Sequence, residues 1–584
     1  MKKYTKKSNL IAGAIEKHQL GLLEEAKLLY QQIIRDFPSN ADALHLLGVI
    51  QLQSGYEQDA ISLINRAIKL SPNVPEYYSN LGVAYKNLHD LSGAQKSYLK
   101  AISLNPKYAE AYNNLGNIYK DRGQNTLAKF NYQKAIDRNP NYAEPYNGFG
   151  LILFETGESK MALEFFQKGL ELNPNSYEAW GNIAGPLIEL KRTKEAIESL
   201  KKSLELNPSY LKSANNLAIA FKKDGQIEVA RKALIELIAR APQYGDAYIT
   251  YANLLTDLGE IEASIAHCKK FLQFDPSNEE VRIHLALNYI YLNQYSLAEQ
   301  ILLEIGPENP SEHYFKGAVW LGVLKMLAFD AINSKNYSSK ANVVLDSLDK
   351  KYKASKGYKI WIDQLLAYWA KGYGFSDAGH SPVLYSIGES HSLSAHGVSV
   401  SQNSVEKLCK SEWVLGCKQW HLGNPLPNKF KRKFEIIMGS IPKESDVLLS
   451  IGEIDSRMDE GIQEVWANDQ SQSLDQLIVK TVQSYMAYVA KQANQYGHKV
   501  IINGIPAPNI DLSVFDAKRK EIHIATIAKM NACLQEESKK YGFLFLDIYS
   551  LTNNGQGLSN KKWHLDEYHL SPTAIQEAFL SYLL

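Results

Sequence analysis

From residue 7 to residue 312 the chain keeps one period. Nine consecutive 34-residue segments begin at 7, 41, 75, 109, 143, 177, 211, 245 and 279, and no insertion is needed to hold the frame. A proline closes every segment: Pro38, Pro72, Pro106, Pro140, Pro174, Pro208, Pro242, Pro276 and Pro310. The eighth position is always small: Ala14, Gly48, Gly82, Gly116, Gly150, Ala184, Ala218, Ala252 and Ala286. The twentieth is alanine in eight segments and Ser264 in the other. Two amphipathic helices per segment fit this pattern. Small residues sit where paired helices cross closely, and proline stops the chain before the next pair. One unit cannot bury its apolar face alone, so neighbours must stack into a solenoid.

The pattern resembles the tetratricopeptide repeat (TPR) family, which implies an α-solenoid, a TPR superhelix, over residues 7–312. In such solenoids the first helix of each pair lines the concave surface. The sixth position there carries Asn80, Asn114, Asn182 and Asn216, with Gly148 interrupting the row and Asn113 and Asn215 beside it. A carboxamide both donates and accepts, so a row of them can pair with an extended backbone. The row resembles the asparagine ladder in the repeats of O-GlcNAc transferases, which implies a protein or peptide partner in the concave surface. The same residues also fit a polar surface, or bonds to the neighbouring repeat. For the aromatics beside them, Tyr78, Tyr112, Tyr146, Trp180 and Tyr248, packing between repeats is the expectation.

At 584 residues the chain exceeds one hydrophobic core. With 64 basic and 63 acidic residues the net charge is +1, which argues against nucleic acid or an anionic membrane as partner. Cys268, Cys409, Cys417 and Cys533 have no paired spacing, so neither a disulfide framework nor a zinc pattern is expected. Cys417 and His421 are four apart and share a helix face, but no second pair accompanies them; no metal or cofactor is expected. The basic start precedes an apolar run, Leu10 to Ile15, too short for a signal core, and no stretch has transmembrane length. These features predict a reduced, cytoplasmic, soluble protein without a membrane span.

Residues 313–380 lose the frame. Tyr314–Ile332 and Ile360–Tyr373 read as helical, with a polar segment, Asn333–Tyr358, between them; capping helices and a linker are expected. Residues 383–584 alternate candidate strands (Val383–Ile387, Glu412–Leu415, Asp446–Ile451, Lys499–Asn503, Phe543–Ile548) with candidate helices (Asp475–Tyr496, Ile522–Tyr541, Ala574–Leu583). That order predicts a mostly parallel sheet with helices on both faces. Gly388-Glu-Ser-His lacks the glycine spacing and the lysine of a phosphate loop.

Ser390 stands just past the first of these strands, where α/β proteins place reacting groups. A serine there needs a base and a group to orient that base, and Asp566-Glu-Tyr-His569 lies directly before the last helix. Gly388-Glu-Ser-His-Ser392 and Asp566-Glu-Tyr-His569 resemble the first and last blocks of the SGNH (GDSL-like) hydrolases. The resemblance implies an α/β/α three-layer sandwich over 383–584, with Ser390 as nucleophile, His569 as base and Asp566 orienting His569. It implies acyl transfer on an ester, with acylated carbohydrate or glycoconjugate as the substrate class. Glu389 stands where the family carries aspartate. For the family's oxyanion glycine the candidate is Gly423.

The third block, Gly-x-Asn-Asp in the family, reads Gly452-Glu453-Ile454-Asp455, so isoleucine replaces the oxyanion asparagine. Loss of one such donor costs ~10²–10³ in rate. Arg457 and the Ser390 backbone N–H are candidate replacements. Glu453, Asp455 and Arg457 crowd a strand end, as a polar site or as an ion pair that ties a loop. His391 and His564 are further polar candidates, and Asn503–Pro508 reads as a shaped loop beside the site. Three functions follow. The first is a serine esterase or O-acyltransferase whose repeats recruit a partner. The alternative is a non-catalytic interaction scaffold. The third is a module that partners a glycosyltransferase, suggested only by the repeats.

Overall fold

The structure, a computed structural model, describes residues 2–305, 312–328, 330–345, 359, 362–363, 366–367, 370, 382–388, 392, 395–414, 416–457, 461–468, 470–509, 516–564 and 569–583. It divides into two compact units, Met1–Ala233 and Leu234–Leu584. The division falls inside the Ile227–Arg240 helix of the seventh repeat.

In the first unit each repeat is a pair of antiparallel helices, such as Pro75–Asn87 with Leu91–Leu104. The small eighth position meets a large residue at position twenty-four. A Cβ at Gly82 would lie 2.5 Å from the Tyr98 ring, and one at Gly116 would lie 2.7 Å from the Tyr132 ring. Gly48 faces Ile64 and Gly150 faces Phe166 in the same way. All four large partners are buried, as are the twentieth-position alanines. Position fifteen, which ends the turn between the helices, adopts the left-handed backbone in every repeat. Six are glycines; His89, Lys191 and Asn293 occupy the same conformation at φ of 60°, 61° and 58°. The sixth repeat departs at Pro186, where the first helix breaks into Tyr177–Asn182 and Ala184–Glu189.

The second unit begins with the last repeats. Ser264, in the alanine column, is fully buried and stays satisfied: its hydroxyl donates to Ala252 O at 2.9 Å and accepts from Thr256 and Asn288. Beyond the ninth repeat the helical pairing continues. The helix expected over Tyr314–Ile332 ends at Leu327, and a second one, Ala331–Leu345, packs back on it. That second helix lies in the stretch read as a polar connector. Among its described side chains the buried ones are small and at helical spacing, Ser334, Ser338 and Ala341, and Ser334 donates to Gly322 O at 2.8 Å. The Lys359–Asp363 ion pair and a Ser338–Asp363 hydrogen bond extend this packing.

Six strands follow: β1 (Val383–Gly388), β2 (Ser399–Gln402), β3 (Val405–Trp413), β4 (Asp446–Ser450), β5 (Lys499–Asn503) and β6 (Leu544–Leu546). They form one mixed sheet in the order β2-β3-β1-β4-β5-β6, parallel except for β2. The strand expected at Glu412–Leu415 is the end of β3. It belongs to a β2–β3 hairpin that turns on Asn403 and Ser404, both at positive φ (51° and 64°), as a two-residue hairpin turn requires. Alternating charged residues hide this strand from a search for apolar runs.

Side chains alternate between two cores. Ile387, Val447, Leu449 and Ile502 pack with the Lys429–Ser440, Leu474–Tyr496 and Ala517–Tyr541 helices. Leu384, Leu448, Ile501 and Leu546 pack on the other face with Ile548–Thr552 and Pro572–Ser581.

Within this unit the Lys429–Ser440 helix also docks on the eighth and ninth repeats. Lys429 pairs with Asp257 at 2.9 Å and lies over the Tyr291 ring; Arg432 pairs with Glu262 at 2.8 Å. Lys433 is buried and donates to Ile290 O at 2.5 Å, to Asn293 and to Tyr295 OH. His396 reaches Met326 O at 3.1 Å, and Trp320 meets Trp413 at 5.6 Å between ring centroids.

Candidate functional site

The chain leaves β1 to form β3 on one side and β4 on the other. The ends of β1 and β4 therefore make the switch point of the sheet, where ligand crevices form in α/β proteins. Towards this end, on the face of Leu384 and Leu448, alternation places polar residues on two successive levels: Ser411 of β3 beside Ser386 of β1, and then Ser450 of β4, level with Gly388, with Asn503 of β5.

Gly388 pairs with Trp413 and with Ser450, and a side chain at Gly388 would overlap the Ser450 carbonyl. Four residues on, the Ser392 carbonyl accepts hydroxyl hydrogen bonds from Ser386 at 3.2 Å and Ser411 at 2.6 Å. Gly388 and Ser392 are thus both fixed against the sheet end. Ser390 itself lies outside the described residues, as do Glu389, His391 and Asp566.

His569 is half-buried and directly precedes Leu570. Leu570 bridges to His564 and, with Ile575, lines a cavity of about 10 Å³ between the ends of β4 and β5. Ser450, Gly452, Asn503 and Gly504 complete that cavity. Ser450 did not stand out in the sequence as a site residue, and Asn503 did so only as the first residue of the loop expected beside the site; the further signal is a polar side chain closing each apolar strand. Asn503 donates to Ser450 Oγ at 3.1 Å, and its Oδ1 has no protein partner. The loop beyond is held firmly, because Asn531 both accepts from Ile505 N at 2.8 Å and donates to Ile505 O at 2.9 Å. His564 is engaged with Ser559 Oγ at 3.0 Å.

The other predicted residues have structural settings. Gly423 ends the short Gln419–Gly423 helix and lets it approach the Leu474–Tyr496 helix; a Cβ there would lie 2.8 Å from Ser484 Cβ and 2.9 Å from Tyr485 N. Asp455 turns inward, fully buried, and accepts from Gln419 N at 2.7 Å at the first turn of that helix. Burial pushes its carboxyl up to about 7, against the pull of the Gln419 and Trp420 N–H groups and Lys418. Gln419 lies over Gly452 (φ 143°) and donates to Ile451 O at 2.9 Å. Arg457 grips Glu453 through its Nε and through Nη2 at 2.7 Å, one helical turn apart. His421 Nδ1 accepts from Lys418 N at 3.0 Å, the ring stacks on Phe430, and burial pulls it down to about 3. Among the described residues no group of three or more His, Cys, Asp or Glu side chains is placed to hold a metal ion.

In the repeats, Asn80 bonds His45 Nε2 at 2.8 Å and Asn182 donates to Asn147 Oδ1 at 3.1 Å, each linking adjacent repeats. Asn182 also accepts from Lys212 at 3.0 Å. Asn114 and Asn216 are half-buried. Asn113, Asn147 and Asn182 line a concavity of about 550 Å³ together with Glu144, Glu178 and Lys120. The aromatics tie repeats together: Tyr78, Tyr146 and Trp180 each donate to the carbonyl of the preceding repeat's proline, at 3.0, 3.0 and 2.8 Å. Among the described residues no helix is long and apolar enough to cross a membrane.

Tetratricopeptide repeat models match residues 12–75, 109–142, 143–176, 177–210 and 215–279, and a TPR repeat model matches 90–123. Similar solved structures include PilF of Pseudomonas aeruginosa, at 20% identity over 36% of this chain and 97% of that one, with a TM-score of 0.33. MamA is 28% identical over 28% of this chain and 96% of that one, with a TM-score of 0.25. A thermophilic TPR protein of Thermus thermophilus is 24% identical over 31% of this chain and 98% of that one, with a TM-score of 0.28. No curated protein matches. The N-terminal region is thus built of TPR repeats, modules of protein–protein interaction.

Proposed function

We propose that the C-terminal domain is an SGNH-type serine esterase or O-acyltransferase with an α/β/α architecture, acting on acylated carbohydrate or glycoconjugate. On this reading residues 7–312 form the array, 313–380 join it to the domain, and 383–584 hold the chemistry. The array recruits a protein or peptide partner to that domain, with Asn80, Asn114, Asn182 and Asn216 on the surface that meets it. One observation carries the proposal. Gly388, two residues before Ser390 in the sequence, pairs with Ser450 at the switch point, and Leu570, next to His569, borders a cavity that Ser450 also lines.

The chemistry follows from these residues. The Ser390 oxygen bonds to the ester carbonyl carbon as His569 takes its proton, and the carbonyl electron pair moves onto oxygen. Asp566 holds the imidazole in the required tautomer. Collapse of the tetrahedral intermediate breaks the bond to the alcohol, which leaves with the proton from His569. Water or a sugar hydroxyl then attacks the acyl-serine by the same steps in reverse. Glu453 and Arg457 form the polar rim of this site. Asp455 acts behind it by fixing the Gln419–Gly423 helix.

The second reading is a non-catalytic scaffold. Ile454 at the oxyanion position favours it, as does the packing of Gly423 against another helix. Hydrolysis of an aryl acetate and labelling by a fluorophosphonate, both on the full chain, separate the two. The enzyme reading expects both activities, and expects Ser390→Ala to abolish both with an unchanged circular dichroism spectrum. A wild-type chain that neither hydrolyses nor labels is a scaffold.

A further inference from the structure

The family pattern draws an oxyanion donor from the position occupied here by Ile454, so a working site needs that hydrogen bond from elsewhere. Asn503 has the chemistry and the place. It closes β5, shares the polar face with Gly388 and Ser450, and is buried at 6% exposure. One end of its carboxamide meets Ser450 Oγ at 3.1 Å, while the other has no protein partner. Leaving one end of a buried amide unpaired is costly, and the strand does not need it for its own pairing. The cavity beside it, about 10 Å³, is the size of one oxygen atom. Leu570, the neighbour of His569, also lines it.

We infer that the Asn503 carboxamide, seated against Ser450 at the ends of β4 and β5, donates the oxyanion hydrogen bond that position 454 cannot. This rests on the acyl-transfer reading above. Ser450 is the positioning residue. A hydroxyl both donates and accepts, so the amide can turn its N–H end to the cavity while its oxygen accepts from Ser450 Oγ–H, with no bond lost. The strand and the Asn531 clamp hold the neighbouring backbone, so only the carboxamide end has to turn to present its N–H.

The test uses the full chain and an aryl acetate, with fluorophosphonate labelling of Ser390 and thermal midpoint measured alongside. Asn503→Ala and Asn503→Leu are expected to lower kcat ~10²–10³-fold with KM held, since the lost bond exists only in the transition state. Ser450→Ala, which keeps the donor but frees its orientation, is expected to lower kcat about tenfold at an unchanged midpoint. A kcat within about threefold of wild type in a folded Asn503 variant overturns the inference. If both Asn503 variants unfold, Ser450→Ala decides, and an unchanged kcat there overturns it too. A wild-type chain that does not label at Ser390 sinks the acyl-transfer reading itself, a distinct outcome.

Discussion

The seam between the two helices of one repeat and the seam that docks the α/β domain are built on different principles. Between paired repeat helices the contact is dry: Gly82 against Tyr98, Gly116 against Tyr132, alanine at every twentieth position but one. Shape sets this contact, while hydrogen bonds such as Asn80 to His45 and Trp180 to Pro174 O link one repeat to the next. The Lys429–Ser440 helix meets the eighth and ninth repeats once, and does so with charge: Lys429 on Asp257, Arg432 on Glu262, and a buried Lys433 on Ile290 O and Asn293. Apolar contact is non-directional, whereas an ammonium with three acceptors fits one arrangement. The difference teaches where this chain buries a charged side chain: Lys433 lies where unlike elements join.

The largest expected effect breaks the dry seam. Tyr98→Ala removes a fully buried ring that no neighbour can replace, and costs ~3–5 kcal/mol locally. Hydrogen exchange should speed up through residues 75–123; protection there as in wild type would show that the glycine–tyrosine contact does not hold the repeat.

The charged seam is sharpened by pH. Burial pulls Lys433 from 10.5 down to about 7, so between pH 7 and 10.5 the folded chain binds fewer protons than the unfolded one. Stability of the second unit therefore gains from Lys433 as pH rises through that window. Asp455 behaves oppositely. Its folded value, about 7, exceeds the ordinary 3.8, so its contribution is present below 3.8 and is lost as pH rises to 7. His396 and His421, pulled down to about 4 and about 3, act against Asp455 on the acid side. The difference between variant and wild type isolates each group. Relative to wild type, Asp455→Asn should gain thermal midpoint from pH 4 to 7, and Lys433→Met should lose it from pH 7 to 10. A parallel pair of curves in either window would remove that group from the account.

The smallest effect lies at the repeat turns. His89 sits at φ 60° where six repeats carry glycine, so His89→Gly should stabilise by ~1 kcal/mol. Gly123→Ala, at φ 70° in the next repeat, should destabilise by a similar amount. Chemical denaturation of both variants reads the pair, and equal midpoints would mean the turn carries no backbone strain.

Much of this was legible in the sequence because it is local or repeated. The prolines, the small eighth position and the twentieth alanine report helix crossing directly, since only small residues fit there. Strands β1, β4 and β5 are apolar runs with clear ends. The β2–β3 hairpin was not legible, because β2 is short and mostly polar, β3 intersperses charged with buried residues, and the turn is Asn-Ser without glycine. The fifteenth-position column mixes glycine with His89, Lys191 and Asn293, and only the backbone angles reveal it as one feature. At the site, Gly423 and Asp455 matched a pattern, yet the first serves helix packing and the second caps a helix 36 residues away in sequence.

By itself, then, the sequence determined the solenoid, its register and the apolar strands of the sheet, because periodicity is a property of neighbours along the chain. Tertiary structure alone decided which polar side chains share a face at the switch point, and that Lys433 is buried beneath the last repeats. Those facts depend on strand order and on the docking of one helix. Both join residues dozens to more than a hundred positions apart, over which no local pattern carries information.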